Sequence, residues 1–251
     1  MKTQTVLITG ASAGIGEATA RRFHRAGHRV ILVARRAERL ETLAAELGER
    51  AFPCPLDLTD GKALDALWGV IPRDFSEVTI LVNNAGAAFG MAPAWEADLG
   101  DWERMVNLNI TSLLRLTHKV LRGMVARDHG HIFNLGSIAG SYPYPGGHVY
   151  GASKAFLQQF SLNLRCDLLG KNIRVTNIEP GLVETEFSLV RFSGDEERAA
   201  AVYQDIEAMT AEDIAEAIVW CASMPARVNV NRLELMATMQ VPGGLSFHRK
   251  P

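Results

Sequence analysis

The sequence predicts a doubly wound α/β fold, a parallel sheet with helices on both faces. Two observations carry that prediction. Short runs that are apolar on both faces recur at residues 5–9, 29–34, 51–56, 78–82, 130–135 and 173–178, and segments of helical period separate them. A strand covered on both sides needs no polar face, so such runs alternating with helices indicate a buried parallel sheet. The glycine-rich and polar clusters fall at the ends of those runs, the edge where open parallel sheets bind ligands.

The first run, Thr5-Val-Leu-Ile-Thr9, stops at Gly10, and Ile15, Ala18, Arg22 and Phe23 follow at helical spacing. Residues 29–34 (Arg-Val-Ile-Leu-Val-Ala) are rich in the β-branched residues that strands favour, and a charged helix is expected from 37 to 47. The longest helices are predicted at 101–125 and 150–169. No Pro/Gly/Ser linker, low-complexity tract or internal repeat divides the chain, so residues 1–251 read as one domain. The polar stretch 188–198 reads as the core of a substrate flap spanning 186–200. Residues 241–251 show no helix or strand period and are expected to dock on a neighbouring subunit or to lack fixed structure.

Composition excludes several classes. With 47% apolar residues and mixed charge, the 251-residue chain is not disordered, and a net charge of −2 exerts no pull on nucleic acid or anionic membrane. No stretch has the length of a transmembrane helix, and Val6-Leu7-Ile8 is too short for a signal-peptide core. Cys54, Cys166 and Cys221 are odd in number and far apart, as reduced thiols in a cytoplasmic protein would be.

Gly10-Ala-Ser-Ala-Gly14-Ile-Gly16 joins the first strand to the first helix. Glycines there permit a tight turn and close backbone approach, and the helix N-terminus offers free N–H groups to a pyrophosphate. Gly10, Ser12, Gly14, Ile15 and Gly16 are therefore candidate dinucleotide contacts. At the end of the second strand a carboxylate would bond ribose hydroxyls and repel a 2′-phosphate. Ala34-Arg35-Arg36 places two guanidiniums there instead, which suit a phosphate, and Ser12 adds a hydroxyl. NADP(H) is the expected cofactor. A plainer reading stands beside it, in which Arg35 and Arg36 open a solvated helix and pair with Glu38 and Glu41.

Tyr150-Gly-Ala-Ser-Lys154 sets a phenol and an ammonium on one helical face. A cation about 4 Å from a phenolate contributes roughly 4 kcal/mol at an effective dielectric near 20. That is enough to bring a tyrosine from about 10 toward about 7, fit for acid–base work near neutral pH. Ser137 follows the run that ends at Leu135, Asn83-Asn84-Ala85-Gly86 ends another, and Pro180-Gly181 with Thr185 follows a third. A parallel sheet gathers all of them at its carboxyl edge.

On these residues the chain resembles the short-chain dehydrogenase/reductase family. Thr9-Gly10-x-x-x-Gly14-x-Gly16, Asn83-Asn84-Ala85-Gly86, Asn109, Ser137, Tyr150-x-x-x-Lys154 and Pro180-Gly181 match its pattern in order, over essentially the whole chain. The resemblance implies a Rossmann-type sheet and a catalytic tetrad of Asn109, Ser137, Tyr150 and Lys154. Tyr150 would exchange the proton, Ser137 orient the carbonyl, Lys154 hold the nicotinamide ribose and lower the Tyr150 pKa, and Asn109 anchor a relay water. It further implies cofactor contacts from Asn84, Ala85, Gly86, Pro180 and Gly181. Asp57 and Leu58 would touch adenine, and Val183 and Thr185 the nicotinamide carboxamide. Ser112 departs from the pattern, since many relatives carry glycine there.

Residues 142–150 and 179–192 resemble the NADP-dependent 3-hydroxy acid dehydrogenase branch, which includes serine and allo-threonine dehydrogenases and malonic semialdehyde reductase. Such a substrate needs a cation two carbons from the reacting centre. Arg191 in the flap offers a guanidinium for that carboxylate, or else pairs with Asp195 or Glu196 in solvent. His148 either faces the substrate or orders its own turn. The resulting reading is NADP(H)-dependent interconversion of a small 3-hydroxy acid, such as L-serine, L-allo-threonine or 3-hydroxypropionate, and its 3-oxo acid or semialdehyde, with Ser137 and Tyr150 on the reacting oxygen. Reduction of another anionic aldehyde such as sulfoacetaldehyde, reduction of a bulkier ketone, and a non-catalytic NADP-sensing role are the alternatives. A serine-hydrolase elbow fails because Leu135 fills its first glycine position, and His129-x-His131 lacks further ligands, so no metal is expected. The resemblance also implies a homodimer or homotetramer built through the two long helices, whose outer face carries Phe156, Phe160 and Leu164.

Overall fold

The six apolar runs become six strands of one sheet, and a seventh joins them at the edge. The structure, a computed structural model, describes residues 3–242; the expectation for the tail falls largely on 243–251, outside them. The strands are β1 (Thr5–Thr9), β2 (Arg29–Ala34), β3 (Ala51–Pro55), β4 (Ile80–Asn83), β5 (Gly130–Leu135), β6 (Ile173–Pro180) and β7 (Arg232–Leu235). All pair in parallel, in the order β3-β2-β1-β4-β5-β6-β7. The helices are α1 (Gly14–Arg25), α2 (Ala37–Leu47), α3 (Gly61–Val70), α4 (Leu99–Val106), α5 (Ser112–Arg127), α6 (His148–Asp167), α7 (Phe187–Arg191), α8 (Glu196–Ala201) and α9 (Ala211–Ser223).

Successive strand residues face opposite ways, which sorts the core into two layers. Leu7, Ile31, Leu81, Ile132 and Val175 meet Leu64 of α3, Leu116 of α5 and Leu164 of α6. Val6, Ile8, Leu32, Val82, Phe133 and Ile178 meet Phe23 of α1, Leu40 of α2 and Ile218 of α9. The sheet is doubly wound, as the unbroken apolar runs require. Among the described residues no helix is long and apolar enough to cross a membrane.

Three differences from the sequence-based expectations stand out. The helix expected at 101–125 is two helices, α4 and α5, joined by a π-turn over Asn107–Thr111. The Ser112 N–H donates five residues back to the Asn107 carbonyl, and the Ser112 hydroxyl donates to the Leu108 carbonyl at 2.6 Å. The serine hydroxyl thus gives the Leu108 carbonyl a donor within the wider turn. The polar 188–198 stretch carries α7 and the start of α8, and Asp195 caps α8 through the Arg198 N–H. On α6, Leu164 is core while Phe156 stays partly exposed and stacks on Phe160.

His131 of β5 lies in the sheet with 2% of its surface exposed. Its Nε2 meets the Thr176 hydroxyl of β6 at 2.8 Å and its Nδ1 has no partner. Burial first, and the Arg174 charge second, push its pKa well below 6.5. The unfolded chain therefore binds a proton near pH 6.5 that the folded chain refuses. Stability is full above that pH and falls below it by up to about 1.4 kcal/mol per pH unit. In denaturant titrations, His131→Phe is expected to remove about one proton from the pH dependence of unfolding between about pH 6.5 and 5; an unchanged slope would refute this.

Candidate active site

β1 lies between β2 and β4, so the chain leaves its carboxyl end toward opposite halves of the sheet and opens a crevice there. A cavity of about 1000 Å³ runs along that crevice, from Arg35 and Asp57 at one end to Tyr150 and Arg191 at the other. Gly10 turns the chain at φ +67°, a conformation side chains disfavour, and a Cβ on Gly16 would overlap the Gly10 carbonyl. The two glycines let α1 start hard against the strand end. Gly10, Ser12, Gly14 and Ile15 line the cavity, whereas Gly16 packs beneath them. Ala13, the N-cap of α1, makes no side-chain cap bond, so the first-turn N–H groups remain available to an anion. Asn84, Ala85 and Gly86 also line the cavity. Asn84 stitches β4 to β1, its Nδ2 donating to the Thr9 carbonyl at 2.8 Å. An elongated groove over an uncapped helix end fits a dinucleotide.

At the adenosine end, Arg35, Arg36, Asp57 and Leu58 line the groove. Arg36 Nε donates to Ser12 Oγ at 3.1 Å, and Arg36 Nη1 pairs with Glu186 at 2.8 Å rather than with Glu38 or Glu41. Arg35 makes no hydrogen bond or ion pair among the described residues. Against partial burial, two hydrogen bonds from Thr59 and the Arg35 charge hold the Asp57 carboxyl below its ordinary pKa.

At the other end Ser137, Tyr150, Lys154, Pro180, Gly181, Val183 and Thr185 line the cavity together. Ser137 ends β5's extension, its hydroxyl donating to the Pro180 carbonyl at 3.3 Å and accepting from the Ala139 N–H at 3.1 Å. Tyr150 and Lys154 project from one face of α6, with Nζ 5.6 Å from the phenol ring centre. The expected lowering of Tyr150 by Lys154 is corrected here, because the ammonium bonds the Leu135 carbonyl and desolvation prevails. Burial pushes Tyr150 up to about 12; Arg191 pulls it down, Tyr144 pushes it up, and the neighbouring Ser137 hydroxyl pulls it down. Burial also lowers Lys154 to about 8.

Asn109 and His148 do not line the cavity. Asn109 sits in the π-turn, where its Oδ1 accepts from the Ala87 N–H and its Nδ2 donates to the Ala87 carbonyl and Ser153 Oγ. The side chain braces the loop after β4 against α6. His148 contacts the Ala92 carbonyl at 3.2 Å through Nε2, accepts from the Val149 N–H, and packs on Trp102. Its place is that of a turn-ordering residue, not a substrate contact.

Arg191 lies inside the cavity and has no ion pair with Asp195 or Glu196. Its Nη2 donates to the Tyr144 hydroxyl at 3.1 Å, and its guanidinium carbon lies 5.2 Å from the Tyr150 ring centre and 5.1 Å from that of Phe187. Its Nε is buried without a partner. A half-buried guanidinium with a buried, unmet Nε donor, walled by aromatic rings, is a place for an anion. Tyr144 and Phe187, within the stretches 142–150 and 179–192 but given no role of their own, also line the site, as do Tyr203 and Gln240, which no sequence signal marked. Gln240 reaches it from beyond β7, accepting from the Leu182 N–H at 2.9 Å.

The short chain dehydrogenase family profile matches residues 4–222. The NADP-dependent 3-hydroxy acid dehydrogenase YdfG of Escherichia coli (strain K12) is 52% identical over 246 residues, 98% of this chain and 99% of that protein. Serine 3-dehydrogenase of Agrobacterium fabrum is 50% identical over 98% of both chains. Among solved structures, the closed form of a serine dehydrogenase complexed with NADP+ is similar with a TM-score of 0.94, at 52% identity over 98% of this chain and 99% of that one. The serine dehydrogenase from Escherichia coli gives 0.83 at 47% identity, over 94% and 99%. With these matches spanning nearly its full length, the chain belongs to the short-chain dehydrogenase family.

Proposed function

We propose that the protein is an NADP(H)-dependent oxidoreductase that interconverts a small 3-hydroxy acid and its 3-oxo acid. The observation that carries the substrate class is Arg191, a half-buried cation whose buried Nε has an unmet donor, beside the catalytic phenol. Relatives named as 3-hydroxy acid and serine dehydrogenases support it. The nicotinamide ring, when bound, supplies or accepts the hydride. Tyr150, a neutral phenol at neutral pH, delivers its proton to the carbonyl oxygen in reduction; in oxidation it acts only once deprotonated, the phenolate taking the alcohol's proton, with Ser137 as the second donor to that oxygen. Lys154 keeps donors free beyond its bond to Leu135, suited to ribose hydroxyls. Arg191 holds the carboxylate, and residues 186–200 act as the flap that excludes water. The exposed Phe156 stacked on the half-buried Phe160 supports assembly into a homodimer or homotetramer.

A steady-state panel tests this: L-serine, L-allo-threonine, 3-hydroxypropionate, 3-hydroxyisobutyrate and sulfoacetaldehyde, each with NADP(H) and NAD(H). The highest kcat/KM is expected for a 3-hydroxy acid with NADP(H). A preference for sulfoacetaldehyde or an uncharged ketone would move the substrate class, and no turnover of any would overturn the reading. Arg35→Ala removes the unengaged guanidinium at the 2′-phosphate end. Loss of its charged hydrogen bonds, roughly 1.5–3 kcal/mol, is expected to raise the KM for NADPH about 10- to 100-fold and leave that for NADH within about twofold. Equal effects on both cofactors would exclude Arg35 as the phosphate reader.

A further inference from the structure

The segment 183–191 passes over the groove as a strap, and its two ends are tied differently. On the substrate side, the Arg191 carbonyl accepts from the Gly90 N–H at 3.0 Å, and the Ser188 and Tyr203 hydroxyls meet at 2.7 Å. On the adenosine side, the strap crosses the glycine loop with the Thr185 side chain against Gly14, and Glu186 then reaches α2. One Glu186 oxygen accepts from Arg36 at 2.8 Å and the other from Arg39 at 2.7 Å, 150 and 147 residues away in sequence. Against partial burial, the bonds from Arg39 and Arg36 hold the Glu186 carboxyl below its ordinary pKa, so it is an anion throughout the neutral range.

We infer that Glu186, gripped by Arg36 and Arg39, is the latch that closes the strap over the cofactor groove, a positioning residue that sets how fast the dinucleotide leaves. The two adjacent arginines thereby divide their work. Arg35, with no partner among the described residues, is the one left to read the 2′-phosphate, while Arg36 has Nε on Ser12 and Nη1 on Glu186. The strength of the latch suits its task. The three side chains are 42–51% exposed, and exposed pairs of this kind are each worth about 1.5- to 5-fold in an equilibrium. Two of them hold a strap shut between turnovers yet let it open in each. Arg39 does not line the cavity, so changing it tests the latch without touching the dinucleotide site.

The inference rests on the proposed reading only in that a dinucleotide fills the groove, and release rates test it directly. Stopped-flow fluorescence with NADPH and with NADH is measured for the wild type, Glu186→Gln, Arg39→Gln and the double variant. Glu186→Gln, which breaks both pairs, is expected to speed release of both nucleotides roughly 2- to 25-fold, and Arg39→Gln, which breaks one, roughly 1.5- to 5-fold, with melting temperatures unchanged. The double variant should release no faster than Glu186→Gln, because both changes break one unit. Raising salt from about 50 to about 500 mM should speed NADH release from the wild type and not from Glu186→Gln. Release within twofold of wild type in both single variants overturns the latch. So does a change confined to NADPH, which would make Glu186 a modifier of phosphate reading. A wild type that binds NADH as tightly as NADPH contradicts the proposed cofactor choice instead, and leaves the latch to be judged on its release rates.

Discussion

Tyr150→Phe is expected to lower kcat roughly 10²–10⁴-fold while the NADPH dissociation constant stays within about twofold. The range is what a positioned general acid contributes to a proton transfer. The ring remains to pack against Phe187, 5.6 Å away between centres, and under the Arg191 guanidinium, so the cavity wall is kept and only the proton is lost. The pH dependence follows from the same environment. Burial lifts the phenol to about 12, against the pull of Arg191. Reduction, which uses the protonated phenol, should be insensitive to Tyr150 from pH 6 to 9, whereas oxidation, which needs it deprotonated, should climb with rising pH. Activity near wild type in the phenylalanine variant, or oxidation that falls with rising pH, would refute the assignment.

Arg191→Ala is expected to lower kcat/KM for a 3-hydroxy acid roughly 100- to 1000-fold, mostly in KM. A charged hydrogen bond to a carboxylate is worth about 1.5–3 kcal/mol, and a guanidinium makes two in parallel. Nε is buried and aromatic rings stand at 5.1 and 5.2 Å, so on that side the guanidinium is shielded from water, although the side chain as a whole is only half-buried. An uncharged 3-hydroxy alcohol of the same size should lose far less. Arg191→Lys should recover little, because an ammonium cannot reproduce the fork. If the acid and the alcohol lose equally, Arg191 supports the flap rather than reading the carboxylate.

How much of this was legible in sequence depended on whether the cause was local. β1, β2, β5 and β6 declare themselves because a strand covered on both faces must be apolar throughout. β7, Arg-Leu-Glu-Leu at the sheet edge with alternating exposure, presents no such run and went unrecognised. α9 carried its own signal, a capping box from Thr210 to Asp213 followed by Ile214, Ile218 and Cys221 at helical spacing. The π-turn at Asn107–Thr111 needs no special residue, so nothing in Asn-Leu-Asn-Ile-Thr announces it. In the site, the glycine loop and the Tyr150–Lys154 pair are set by spacing along one element and could be placed in advance. The Glu186 pairing and the Gln240 contact depend on chain segments meeting through space. The direction of the Tyr150 shift was missed for a related reason. Spacing brings Lys154 to the same face, but only the packed site shows its ammonium turned to Leu135 and the phenol desolvated.

The π-turn has a consequence for how the sequence can vary. Its i→i+5 bond closes a turn of a little over four residues where an α-helix needs about 3.6, so the segment holds one residue more than a continuous helix would. Deleting one residue from 107–111 would leave a regular, well-bonded helix and keep α4 and α5 nearly in phase, because four α-helical residues at about 100° each turn the chain almost as far as five in the wider turn. Met105 would keep its face toward the core, whereas Asn109, carried by the wider turn, would lose the backbone position from which it reaches Ala87 and Ser153. The segment is thus expected to tolerate exchange of other side chains far better than loss of a residue, because what it contributes to the site is one position that a continuous helix has no room for.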